Sequence, residues 1–356
     1  MSMPGDEEAG EMDWASLLED GRITHQDALA SVDDVVRPGG DRVLILRLAG
    51  GLSLDVLPDR GLDLGAAWSG SVPLAWRSPQ SADPGPGHGW NERFLGGLLA
   101  TCGPDNIGAP RGASGQHGTH HLTRAEDVRW WRQRAPEGID VHVRGRITHS
   151  SSGSWIVIER EIVTGTARPC VEVRDTVRNE GNSPAAVPLL YHVNLGAPML
   201  RPGARMSVDA GTAVLRDPCP PGQDALSLPH PRDGLDAVVA EHPGIRSHDG
   251  WARATLTETG LGADVAVEWR TDTLPRLCTW NNPARGGWVL GVEPTNAPLF
   301  GSERELPHAG APVLQPGHAW NTVVRVAVVP TLAPSAKRPT AGSAHPNNQR
   351  RAWRLR

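Results

Sequence analysis

Between Val32 and Val329 the chain is a succession of short apolar runs, each closed off by Gly, Pro, Asn or Asp. That pattern builds strands joined by tight turns and leaves little room for helices. Arg42–Leu48 (RVLILRL), Leu52–Leu57 (LSLDVL), 62–68 and 72–76 follow one another at the close spacing of antiparallel neighbours. Residues 128–132, 139–148, 155–163 and Cys170–Asn179 alternate apolar and polar positions, and 185–194 is apolar almost throughout. Arg144, Arg146, Glu159, Glu161, Glu172 and Arg174 fall at period-two positions, which marks a solvated sheet face. Strands resume at Trp251–Thr257, Ala263–Arg270, 276–280, 288–293 and 321–329, with Asn-Asn-Pro and Gly-Gly supplying the turn between 280 and 288. Pro294, which lacks an N–H, is expected to end the ladder after Glu293. The fold class this predicts is all-β: a large antiparallel sandwich forming one domain over 32–330. Residues 1–31 form an N-terminal extension with one helix candidate at 14–32, interrupted by Gly21. The basic, aperiodic segment 331–356 reads as a disordered tail. No fixed-period repeat suggests a propeller or solenoid.

Composition narrows function by exclusion. A net charge of −5 over 356 residues gives no electrostatic footprint for nucleic acid or an anionic membrane. No apolar run reaches membrane-spanning length, and the acidic start MSMPGDEEAGEMDW lacks a basic-then-apolar leader, so the expected location is the cytoplasm. The four cysteines are widely spaced without a C-x-x-C pair, which argues for free thiols over a zinc site or disulfide framework. Thirteen tryptophans against two phenylalanines and one tyrosine suit either a core or a sugar-stacking cleft.

Three places carry chemistry. The irregular stretch 93–121 holds Arg93, Cys102, Asn106 and the cluster SGQHGTHH, and a long aperiodic segment inside a compact domain is usually functional. In an extended backbone His117 and His121 would share a face and His120 would point away. A metal reading therefore takes His117, His121 and Glu293 as ligands. The second place is Tyr191-His192-Val193-Asn194, where alternation puts His192 and Asn194 on one face of an apolar strand. The third is Glu293, a carboxylate at the end of an apolar strand, preceded on the partner strand by Trp280 and Asn281. A Glu and a His in one cleft can serve as base and acid near neutral pH.

RGLDLGAAW at 60–68, FLGGLLATCGPDNIG at 94–108, GQHG at 115–118, LLYHVNLGAP at 189–198 and GVEPTN at 291–296 together resemble the aldose 1-epimerase (galactose mutarotase-like) superfamily, in a poorly characterised branch of unknown function. The resemblance implies a β-supersandwich and an isomerase acting on a monosaccharide or sugar derivative without a cofactor. It implies that His192 protonates the ring oxygen, that Glu293 takes the proton from the anomeric hydroxyl, and that His117 and Arg93 bind the sugar. Asn106, Asn194, Trp280 and Asn281 complete the candidate substrate contacts. The expected geometry has His192 and Glu293 facing each other across one cleft, near Arg93, Asn106 and His117, with room for a pyranose between them. A metal-dependent sugar isomerase and a non-catalytic carbohydrate-binding module are the alternatives.

Overall fold

The computed structural model describes residues 13–151, 154–219 and 225–331. The segment 332–356, expected as a disordered tail, lies outside the described residues, as do positions 1–12 of the N-terminal extension.

The alternating runs assemble into two large antiparallel sheets. The first has 11 strands, in the spatial order Ala30–Val36, Arg42–Leu48, Leu52–Leu57, Asp63–Ser69, Leu99–Cys102, Leu190–Leu195, Val289–Thr295, Arg276–Asn282, Val238–His242 and Val214–Leu215, with Val72–Pro73 hung on Asp63–Ser69. The second has 8, in the order Arg205–Val208, Trp251–Thr257, Ala263–Arg270, Ala319–Pro330, Cys170–Asn179, Ser154–Gly165, Gly138–Ser151 and Glu126–Ala135. Their inner faces share one apolar core, to which Leu44, Leu54 and Leu64 contribute from the first sheet and Ile158, Val173 and Val267 from the second. Period-two burial drives this: Cys170–Asn179 buries every second side chain, and the charges between them face solvent. The all-β sandwich expected from the patterning is thus the architecture observed.

The inward positions are not all apolar. Arg160, between the surface residues Glu159 and Glu161, is fully buried and reaches from the second sheet to the first. Its Nη1 donates to Asp63 Oδ1 at 2.7 Å, its Nε and Nη2 donate to the two Asp175 oxygens at 2.8 and 2.7 Å, and Nη2 also donates to Thr101 Oγ1 at 2.9 Å. Tyr191 Oη donates to Asp175 Oδ2 at 2.6 Å. A buried guanidinium needs this full set of acceptors, because each charge left unpaired in the interior would be costly. The network clamps the sheets together directly behind His192.

Two local expectations are corrected. The helix candidate at 14–32 shrinks to Trp14–Glu19, and Ala30–Val36 is an edge strand paired with Arg42–Leu48. Gly21 takes a left-handed φ of 69° and turns the chain out of the helix, while the sheet edge recruits the later residues. Pro294 does not end its strand. Val289–Thr295 runs through it, pairing Pro294 with Leu277 on one side. On the other side the ladder holds at Leu190/Thr295 and resumes only at Val193/Val292. The missing N–H is thus tolerated where an antiparallel pair exchanges no bond through it.

Candidate active site

Tyr191, Val193 and Leu195 belong to the core between the sheets, so His192 and Asn194 project from the outer face of the first sheet. Antiparallel register with Val289–Thr295 sets Glu293 directly opposite His192. His192 Nε2 and Glu293 Oε1 approach to 3.2 Å, and both residues are almost fully buried, at 3% and 2% exposure. The contact is close but misses hydrogen-bond alignment, leaving Glu293 Oε1 and His192 Nδ1 buried without a hydrogen-bond partner. The expected separation by a pyranose is therefore corrected: the two groups sit side by side on neighbouring strands, and the open space lies over the pair.

That space is a cavity of about 470 Å³, with His117, His192, Trp280 and Glu293 in its lining. Its apolar walls come from Trp76, Trp90 and Phe94 together with Trp280. Trp90 stacks on Phe94 with ring centroids 4.6 Å apart, and Trp280 meets Trp76 edge to face at 6.2 Å. Gln80, Asn91, Gln116 and Asn282 add amide groups, and Arg216 is the lining cation. Aromatic faces with a few convergent polar groups are the usual make-up of a small-molecule site.

His117 occupies a left-handed turn, φ 59°, an unusual conformation for a non-glycine residue and one that concentrates at functional sites. Its Nδ1 accepts from the Gly108 N–H at 3.3 Å. Burial and the neighbouring His192 hold His117 well below the usual imidazole range, so it is neutral, and the Nδ1 acceptor role puts its proton on Nε2. Burial likewise lowers His192 to about 4 and raises Glu293 to about 8, the latter opposed by the charge of Arg216. In the pH range between those values the pair carries one proton, and burial, which disfavours charge on either group, keeps it on the carboxyl.

The other candidates are positioned differently. Arg93 is taken by Asp83, with Nε to Oδ1 at 2.8 Å and Nη2 to Oδ2 at 2.9 Å, and lines a smaller neighbouring cavity. Asn106 is a buried loop clamp that donates to the Ala109 and Gly115 carbonyls and accepts from Arg304. Asn194 donates to the carbonyls of Gly97 and His192 and so fixes the strand carrying the histidine. Asn281 donates to the Ser227 carbonyl, and its neighbours Trp280 and Asn282 line the cavity instead, as period two requires.

The histidine cluster is not extended. His120–Leu122 is a 3-10 turn, in which His120 contacts His149 and the Gly61 carbonyl. His121 lines the smaller cavity, apart from Glu293. The ligand set His117, His121 and Glu293 is therefore not assembled, and among the described residues no three or more His, Cys, Asp or Glu side chains converge as metal ligands.

Sequence patterning missed Trp76, Trp90, Phe94, Arg216 and Gly291. Gly291 lies beneath the pair: a Cβ there would meet Glu293 Oε1 at 2.7 Å and His192 Cε1 at 2.9 Å. Gly291→Ala is expected to push the two groups apart and lower any turnover by roughly 100-fold, the scale of a misplacement of about 1 Å. The fold should survive, since φ at Gly291 is not left-handed. Steady-state turnover beside a circular dichroism melt checks both halves of that expectation.

A family model described as a domain of unknown function (DUF4432) matches residues 39–328. Among solved structures, a candidate aldose 1-epimerase from Klebsiella pneumoniae subsp. pneumoniae MGH 78578 superposes with a TM-score of 0.76 at 20% identity, covering 88% of this chain and 86% of its own. A galactose mutarotase-like protein from Clostridium acetobutylicum gives a TM-score of 0.62 at 13% identity, covering 85% of this chain and 100% of its own. A second candidate aldose 1-epimerase, from Escherichia coli K12, gives 0.56 at 15% identity over 85% and 99%. At these identities the likeness establishes the fold, which is galactose mutarotase-like. The comparison with curated proteins found no match. No helix among the described residues is long and apolar enough to cross a membrane.

Proposed function

The chain belongs to the DUF4432 family of domains of unknown function, and from the geometry of its cavity we propose that it interconverts the α and β anomers of an aldose or sugar derivative in the cytoplasm. The observation that carries this reading is the buried His192–Glu293 pair at the floor of an aromatic cavity, with Glu293 Oε1 and His192 Nδ1 lacking hydrogen-bond partners. Buried polar atoms of this kind call for a partner, which a ligand or an ordered water in the cavity can supply. Trp280, Trp76 and Phe94 supply faces for the C–H surface of a pyranose, and the Nε2–H of His117 supplies a donor for a sugar oxygen.

Ring opening needs one group to remove the proton of the anomeric hydroxyl and one to protonate the ring oxygen. Reclosure on the other face of C1 reverses both transfers. A couple holding a single proton meets that demand. Glu293 acts as base once the proton has passed across the 3.2 Å contact to His192, which then serves as acid. The stretch from about residue 32 to 330 acts as the single working domain.

The reading has a definite pH signature. Below about 4 both His192 and Glu293 carry protons and the base is lost; above about 8 neither does and the acid is lost. The two titrations belong to the pair. Turnover is therefore expected to be bell-shaped, with limbs near those two values. Polarimetry across a pH series, corrected for the spontaneous rate, measures it. A profile that rises steadily through pH 9 would refute the one-proton couple.

A further inference from the structure

Beside the sugar cavity, behind Trp90 and Phe94, lies a second cavity of about 200 Å³ lined by Arg60, Asp83, Arg93 and His121, with Arg77 at its rim. Its electrostatics are unbalanced. Arg60 and Arg93 are largely buried, at 14% and 18% side-chain exposure, yet they share the single carboxylate of Asp83. Arg93 takes both Asp83 oxygens, and Arg60 reaches only one of them, at 3.1 Å. Of the other wall carboxylates, Asp63 is engaged with Arg160, Asp59 with Arg124 and the Arg42 backbone N–H, and Asp41 is exposed to solvent.

His121 is the second, independent observation. It is 5% exposed and packs edge-on against Trp90 at 4.3 Å, and neither of its ring nitrogens has a hydrogen-bond partner. Burial and the charges of Arg60 and Arg93 lower it to about 3, against a weaker opposing effect of Asp83. The imidazole is thus neutral in a positive field and carries one unsatisfied N–H. A buried donor without an acceptor, next to a guanidinium with spare donors, lacks a negatively charged oxygen.

We infer that this cavity is an oxyanion-binding site, distinct from the sugar cavity, in which Arg60 and the His121 N–H hold a phosphate or carboxylate group while Arg93 stays paired with Asp83 beside them. The guanidinium fork of Arg60 matches the paired oxygens of either group. The site does not depend on the anomerase reading, because Arg60, Arg93 and His121 make no hydrogen bond or ion pair with His192 or Glu293.

The test is calorimetric titration of the full chain with inorganic phosphate and, separately, malonate, alongside the histidine C2–H resonances in proton NMR. At least one anion is expected to bind one-to-one and to shift the His121 resonance. Phosphate alone assigns the site to phosphorylated ligands, and malonate alone to carboxylates. Arg60→Gln keeps Asp83 paired with Arg93, and His121→Phe keeps the packing on Trp90; each should weaken binding about 10-fold or more, the scale of a lost charge-assisted hydrogen bond. Absence of binding by either anion up to tens of millimolar overturns the inference. So does binding that persists unchanged in both folded variants.

Discussion

Replacing Glu293 by Gln is expected to reduce kcat for anomer interconversion by about 10²–10⁴-fold while leaving sugar affinity nearly unchanged. The substitution keeps the shape and polarity of the side chain but removes the carboxyl proposed to exchange a proton with His192, 3.2 Å away. Glu293 is buried and lies directly over Gly291, so an isosteric amide fits where a larger or charged group would not. The proposed sugar contacts are the aromatic walls and His117, which the substitution does not touch. The split between kcat and affinity distinguishes a proton-transfer residue from a packing residue, whose loss would weaken both. Saturation kinetics followed by polarimetry, with calorimetry for affinity, give the two numbers. Equal losses in both would assign Glu293 to binding alone.

Arg160→Met is expected to cost the fold about 3–5 kcal/mol, the usual price of breaking a buried ion pair from one side. Asp63 and Asp175 would remain buried beside an apolar side chain, with Thr101 and Tyr191 as their neutral partners. The loss is a large share of the roughly 5–15 kcal/mol that stabilises a typical domain. The deficit should narrow on acidification. Burial already raises Asp63 to about 6, and without Arg160 its folded form holds a proton more tightly still, so stability is higher at low pH and falls as pH rises. Urea unfolding at pH 5 and pH 8 measures this. A variant as stable as wild type at both values would mean that the network holds the sheets by shape alone.

The sandwich was legible in the chain because period-two alternation is a direct consequence of burying one face of a strand. Arg42–Leu48, Leu52–Leu57, Cys170–Asn179, Trp251–Thr257 and Ala263–Arg270 have in the structure the bounds read from the pattern alone. Strands such as Leu99–Cys102 and Val238–His242 were not read, since both are short and the first is buried at every position. Arg160 was hidden for a different reason. A charge at an inward position looks like a register error until its acceptors, contributed by Asp63, Thr101 and Asp175, are brought together in space.

The candidate site shows the same limits. His192 and Glu293 each stand out as polar groups on apolar strands, but only strand order makes them neighbours. Arg93, Asn106, Asn194 and Asn281 also look like ligand contacts, yet each is occupied by a carboxylate or backbone carbonyls. Residue type cannot reveal which of a side chain's donors are already engaged. Trp76, Trp90 and Phe94 could not be told from core aromatics, because a cavity wall and a core use the same apolar faces. The left-handed turn at His117 has no sequence marker beyond the glycines around it.

The most direct test of the proposed activity is the rate of anomer exchange itself. Two-dimensional exchange NMR on a panel of aldoses and sugar derivatives reads the α-to-β rate at equilibrium, with wild-type protein, Glu293→Gln protein and buffer alone in parallel. At least one sugar should exchange much faster with the wild-type protein than in buffer, and return to nearly the buffer rate with the Glu293→Gln protein. A sugar that binds in the cavity yet exchanges at the buffer rate with the wild-type protein would contradict the activity and leave a carbohydrate-binding module.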